Sequence, residues 1–154
     1  RNTLWDLGYA ADTLETAITW DKVTHAMNAI EKSLHAAIKP DNERIHVFSH
    51  LSHVYPSGSS IYTTFLFRLS ETPGQTLEAW KRLKQAASQT IAAAGGTISH
   101  QHGVGTDHKK YMAVEKGTLG IQTLQKIFNH LDPEHHMNPG KLLPEEKGRM
   151  TEGR

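Results

Sequence analysis

Trp20, Val23, Met27, Ile30, Leu34 and Ile38 recur at intervals of three and four, the period that lines side chains along one stripe of an α-helix. Lys39-Pro40-Asp41-Asn42 ends that run. A second stripe of the same period comprises Leu77, Trp80, Leu83, Ala87, Ile91 and Ala94. It opens at Thr72-Pro73-Gly74-Gln75, with threonine as cap, proline in the first turn and glutamine three residues after the cap, and Gly95-Gly96 closes it. Residues 11–19 are threonine-rich without a helical stripe and read as a strand. Residues 44–55 and 60–69 read as two more, joined through Tyr55-Pro56-Ser57-Gly58-Ser59 into a hairpin. Alternation in the last run puts Ile61, Thr63, Phe65, Phe67 and Leu69 on one face and Tyr62, Thr64, Leu66 and Arg68 on the other, so Tyr62 should point away from the greasier side. Residues 97–99 are a candidate fourth strand.

The order strand, helix, strand, strand, helix, strand predicts an α+β fold, a ferredoxin-like split βαββαβ sandwich with both helices on one sheet face and the other face open. Ile121, Leu124, Phe128 and Leu131 outline a further helix, so C-terminal helices are expected beyond the sandwich. We read residues 1–143 as one domain and 144–154 as a flexible tail. Arg1 stands where a Met would begin a complete chain, which is read as a piece of something longer.

Composition narrows the functional classes. Seventeen lysines and arginines against 16 acidic residues leave a formal charge of +1, which gives no footprint for nucleic acid. No apolar run is long enough for a bilayer span, and with no cysteine there is neither a disulfide framework nor a thiolate nucleophile, so a cytoplasmic setting is expected. Redox chemistry would have to come from a bound cofactor. Eleven histidines are many for 154 residues, and histidine titrates near neutrality and binds metals or anions.

The densest cluster is Ser99-His100-Gln101-His102-Gly103-Val104-Gly105. Two histidines at i and i+2 of extended backbone share a face and can converge on one ligand, and glycines allow close backbone approach. A second cluster, His46, His50, His53, Tyr55 and Tyr62, lies on the hairpin. In an ideal strand His53 and Tyr55 face one way and His46 and His50 the other; a bulge would be needed to unite them, and none is assumed. A tyrosine moves protons near neutral pH only where cations lower its pKa, and protonated histidines can do so. Zinc on His50, His53, His100 and His102 is weighed and set aside, since there is no cysteine and no well-placed acidic partner is evident, so no metal is expected. Gly103-Val104-Gly105 lacks the third glycine and the long preceding strand of a dinucleotide fingerprint.

Four stretches together resemble a known family: Asp12-Thr13-Leu14-Glu15-Thr16-Ala17 with Trp20-Asp21; Ser49-His50-Leu51-Ser52-His53-Val54-Tyr55 running to Ile61-Tyr62; Gly95 through Gly105; and Leu131-Asp132-Pro133 to Asn138-Pro139-Gly140-Lys141-Leu142. They look like the C-terminal cap domain of the FAD-linked oxidases of the vanillyl-alcohol oxidase superfamily, in particular the alkyldihydroxyacetonephosphate synthase branch. The glycolate and D-lactate dehydrogenase branch typically has Gly-Glu-His-Gly-Ile-Gly at the histidine segment and a glycine- and aspartate-rich metal-ligand segment where this chain has His50 to Tyr55, and this chain departs from both.

The resemblance implies that FAD is bound mainly by an N-terminal domain of the same polypeptide, outside this sequence, with the open sheet face of this domain roofing the flavin. It implies exchange of the acyl group of an acyl-dihydroxyacetone phosphate for a fatty alcohol, through a flavin adduct and without net redox change. By position, Tyr62, His100 and His102 match catalytic residues, and Gln101 replaces the middle member of a triple-histidine motif. Arg1 matches an arginine for the substrate phosphate, a role that suits a guanidinium. His50, His53 and Gln101 fall to substrate binding, and Gly103 and Asn138 to the cofactor. The isolated chain is expected to bind FAD weakly or not at all and to be inactive. A homodimer through the open face and a membrane-peripheral setting of the parent protein also follow as expectations. The competing readings are an FAD-dependent dehydrogenase of a 2-hydroxy acid or glycerol phosphate, and a freestanding metal- or anion-binding module.

Overall fold

A computed structural model describes residues 2–144. Arg1 and the tail beyond Pro144, and with them the expectations placed on both, lie outside the described residues. The chain divides into two compact units, Arg1–Gly103 and Val104–Arg154.

The first unit opens with a short helix, α1 (Asn2–Asp6), that the residue pattern did not signal, and continues β1 (Tyr9–Thr19), α2 (Trp20–Ile38), β2 (Ile45–Tyr55), β3 (Gly58–Arg68) and α3 (Pro73–Ala94). Both long helices start and stop where stripe and caps put them. At α3 the Thr72 hydroxyl accepts the Gln75 N–H while the Gln75 side chain accepts the Thr72 N–H, and Gly95 takes the left-handed conformation at φ 78°.

The strands form an antiparallel sheet in the order β1-β3-β2. Ile61, Thr63, Phe65 and Phe67 of β3 are all but fully buried beneath the helices, with Ile30 and Leu34 of α2 and Leu83, Ala87 and Ile91 of α3. Tyr62, Thr64 and Leu66 take the opposite face, as alternation requires. Trp20 and Leu77, although on the helical stripes, are exposed, and the Trp20 indole donates to the Tyr55 carbonyl at 3.1 Å.

The fourth segment is not a regular strand. Residues 97–100 nevertheless occupy the outer edge of β1, giving the ferredoxin-like arrangement. Thr97 N–H donates to Ala17 O and His100 N–H to Glu15 O, each at 3.0 Å, while the Thr97 hydroxyl accepts the Ala17 N–H at 2.8 Å and the Thr16 hydroxyl donates to Thr97 O at 2.7 Å. A side-chain oxygen takes one ladder position, so the ladder is local and the segment stays irregular. Gly96 is required by this approach: a Cβ there would lie 2.5 Å from Thr16 Oγ1.

The second unit contains α4 (Met112–Leu131), broken at Gly117, whose φ of 68° and ψ of 170° are not helical. Ile121 of its predicted stripe is buried, but Phe128 and Leu131 are exposed, so the stripe serves a packed face only in part. Among the described residues no helix is long and apolar enough to cross a membrane.

Candidate functional site

The functional groups converge on the sheet face opposite α2 and α3, around a residue that composition and spacing did not single out. Glu15 lies across from Tyr62 in the β1–β3 register, on the face away from the helices, and is only 4% exposed. A buried carboxylate needs partners, and it has four. The Ser52 hydroxyl donates to Oε1 at 2.6 Å; His100 Nδ1 lies 3.2 Å and His53 Nδ1 3.4 Å from the same oxygen; His102 Nε2 lies 3.2 Å from Oε2. The expectation that no acidic partner sits among the histidines is therefore corrected. The only signal in the sequence was a glutamate at an alternating position of a threonine-rich strand; its burial depends on a loop 85 residues away.

A bulge delivers His53. The β2–β3 register slips between Leu51 and Val54, so His50 and His53, which an ideal strand would set on opposite faces, both reach the Glu15 side. Two buried serines fix it. Ser60 Oγ accepts the His53 N–H at 2.8 Å and Ser59 Oγ donates to the His53 carbonyl at 2.7 Å.

His100 and His102 arrive on the loop that leaves the edge of β1. Gln101 has φ 59° and Gly103 φ 73°, and the Ser99 hydroxyl donates to the Gly103 carbonyl at 2.7 Å, closing the turn. The two imidazoles meet on the two oxygens of one carboxylate, as their spacing suggested, although the backbone between them is not extended. Gln101 is exposed.

Around this centre lie two ring pairs. Tyr62 stacks on His50 at 5.2 Å between centroids and meets the edge of His102 at 5.3 Å. Tyr55 hydrogen-bonds His100 Nε2 through its hydroxyl at 2.9 Å, and His53 stacks near it. Tyr62 thus joins the histidine motif through His102, while His100 turns to Tyr55. The Tyr62 hydroxyl has no hydrogen-bond partner among the described residues. Asn138 belongs to the second unit, where it adopts φ 53° in the wall of a cavity of about 360 Å³ beside the end of α4.

Burial works to raise the pKa of Glu15, but the Ser52 hydroxyl, the His100 hydrogen bond and the positive charge of His100 and His102 outweigh it, so the carboxyl stays below its ordinary range. A folded-state pKa below the unfolded one means stability that is present above the unfolded value and lost as pH falls through the folded value. Glu15→Gln should cost about 1–3 kcal/mol at neutral pH. Urea unfolding should show the gap between wild type and variant closing below about pH 4. A gap that stays constant down to pH 3 would contradict this account of the carboxylate.

The sheet face away from α2 and α3 thus bears a buried carboxylate, four imidazoles and a phenol without a hydrogen-bond partner among the described residues, and the chain belongs to the family of FAD linked oxidases, C-terminal domain, whose pattern matches residues 1–142. Over 138 residues it is 32% identical to the alkyldihydroxyacetonephosphate synthase of Caenorhabditis elegans, covering 88% of this chain and 23% of that protein. It is 41% identical over 64 residues to the mitochondrial D-lactate dehydrogenase [cytochrome] of Arabidopsis thaliana, a match covering 42% of this chain and 11% of the relative. A solved structure of alkyldihydroxyacetonephosphate synthase shares the fold, with a TM-score of 0.57 at 20% identity over 90% of this chain and 22% of that one. The chain spans less than a quarter of the length of the synthases it matches.

The donors present fit the reacting edge of a flavin rather than its anchorage. Phenol and imidazole protons stand on a sheet face that neither α2 nor α3 covers. Gly103, by contrast, follows an irregular loop, so the residues around it are not the strand–turn–helix that cradles a dinucleotide phosphate.

Proposed function

We propose that this chain is the substrate-binding cap of an FAD-dependent enzyme that exchanges the acyl group of an acyl-dihydroxyacetone phosphate for a fatty alcohol. The observation that carries the reading is the position of Tyr62: its ring is held between His50 and His102 on the face where Glu15 gathers the histidines, and its hydroxyl is unengaged. FAD, bound by a preceding domain of the same polypeptide, supplies the reactive ring at which the substituent is exchanged.

This chain's residues bind and move protons. The Tyr62 oxygen takes a proton from the substrate carbon next to the carbonyl and returns it, with the His102 ring at its edge. His100, with Nδ1 on Glu15 and Nε2 on the Tyr55 hydroxyl, passes a proton through that hydroxyl toward the departing carboxylate oxygen. His50, His53 and Gln101 contact the substrate from the rim, Arg1 takes its phosphate, and Gly103 and Asn138 border the flavin. The match to the Caenorhabditis elegans synthase, 32% identical over 88% of the chain, favours this over the dehydrogenase reading, whose match covers 42% of the chain.

The test is product analysis on the polypeptide that includes the flavin domain. Supplied with acyl-dihydroxyacetone phosphate and a fatty alcohol, it should release fatty acid and form the alkyl ether with no electron acceptor consumed. Stoichiometric reduction of an acceptor by a 2-hydroxy acid or glycerol phosphate, with no ether formed, would replace the exchange by dehydrogenation.

A further inference from the structure

We propose that Tyr55 is a nucleophile that takes the acyl group of a small activated ester or acylimidazole, with His100 as its general base and Glu15 as the group that orients the base. This reactivity belongs to the chain itself, needs no flavin and stands if the exchange reading fails.

The three groups form one line of contacts. His100 Nδ1 lies 3.2 Å from Glu15 Oε1, and His100 Nε2 lies 2.9 Å from the Tyr55 hydroxyl. Hydroxyl, imidazole and carboxylate in this sequence activate a hydroxyl nucleophile on unrelated folds. The carboxylate sets the direction of the hydrogen bonds. An ionised carboxylate only accepts, so Nδ1 of neutral His100 carries the hydrogen and Nε2 is left to accept from the phenol. Glu15 is held below its ordinary pKa range and so fills that role at neutral pH.

The chemistry closes on these groups. Attack of the Tyr55 oxygen on the acyl carbon breaks that carbon's bond to the leaving group. The phenol proton passes to His100 Nε2, and the imidazolium, with Glu15 as its counter-charge, returns it to the leaving atom. The product is an aryl ester of Tyr55, which water reopens to free acid and phenol along the same route.

Both ends of the line are fixed while the reacting oxygen stays reachable. The Ser52 hydroxyl holds Glu15 Oε1 at 2.6 Å, and the Tyr55 carbonyl accepts the Trp20 indole N–H at 3.1 Å. The Tyr55 ring lies within 12° of parallel to that of His53. Tyr55 is 38% exposed, so a small acyl donor can approach it. Tyr62, by contrast, meets His50 and His102 only through its ring. Tyr9 is also 38% exposed, but its hydroxyl faces the Arg68 guanidinium at 3.5 Å instead of an imidazole. Equal exposure makes Tyr9 an internal reference, in which access is matched and the base is missing.

The experiment is acetylation of the chain with N-acetylimidazole at neutral pH, the label at each tyrosine being followed by peptide mass spectrometry and its reversal checked with hydroxylamine. Tyr55 should be acetylated at least about tenfold faster than Tyr9. His100→Gln keeps an acceptor for the phenol but no base, and should lower the Tyr55 rate by about 10²-fold while the Tyr9 rate stays the same. If His100→Gln proves unfolded by circular dichroism, the comparison of Tyr55 with Tyr9 in the unaltered chain carries the test. Equal rates at Tyr55 and Tyr9, or an undiminished Tyr55 rate in folded His100→Gln, overturn the assignment. Ether formation by the flavin-containing polypeptide is a separate readout, so failure of either leaves the other standing.

Discussion

Tyr62→Phe in the flavin-containing polypeptide should lower kcat by about 10²–10³-fold with little change in KM, measured by steady-state ether formation. The reason lies in what the substitution spares. Phenylalanine keeps the ring stacked on His50 and edge-on to His102, so the wall of the site stays in place and only the unengaged oxygen is lost. An interaction made only in the transition state lowers kcat and kcat/KM together, whereas lost substrate binding raises KM alone. Retention of activity within a factor of two would remove Tyr62 from the proton-moving role.

Phe65→Ala should cost about 3–5 kcal/mol of folding stability, read as a fall in the urea midpoint at unchanged slope. Phe65 has no exposed surface, lies 6.2 Å from the ring of Phe67, and sits between Asp12 of β1 and Val47 of β2 in register. It is the central large side chain of the middle strand, and the layers above and below it belong to different elements. Collapse around the gap would therefore need the sheet and both helices to shift together. A cost below about 1 kcal/mol would mean the core refills the space.

These two residues also mark how far one-dimensional pattern reaches. The alternation that buries Phe65 and turns Tyr62 outward is local, set by a period of two in one strand, and so it was legible. The same holds for α2 and α3, whose stripes and caps lie within single segments. The bulge at residues 52–53 was not legible, because it depends on Ser59 and Ser60 across the hairpin accepting from and donating to the His53 backbone. Glu15 was missed for a related reason. Nothing within β1 distinguishes a solvated glutamate on the open face from one capped by His100 and His102, and the difference is made by a loop clamped to the strand edge through Thr97. Short α1 has too few turns to show a period. Phe128 and Leu131 carry a helical stripe that the second unit leaves exposed, since periodicity reports a face and not what covers it.

The loop 99–103 divides its three central positions by duty. Both flanking imidazoles are tied to one anion, whereas Gln101, turned outward at φ 59°, holds nothing in the cluster. The middle side chain can therefore be exchanged without dislodging the imidazoles on either side, since Glu15 and not the loop's own central residue anchors them.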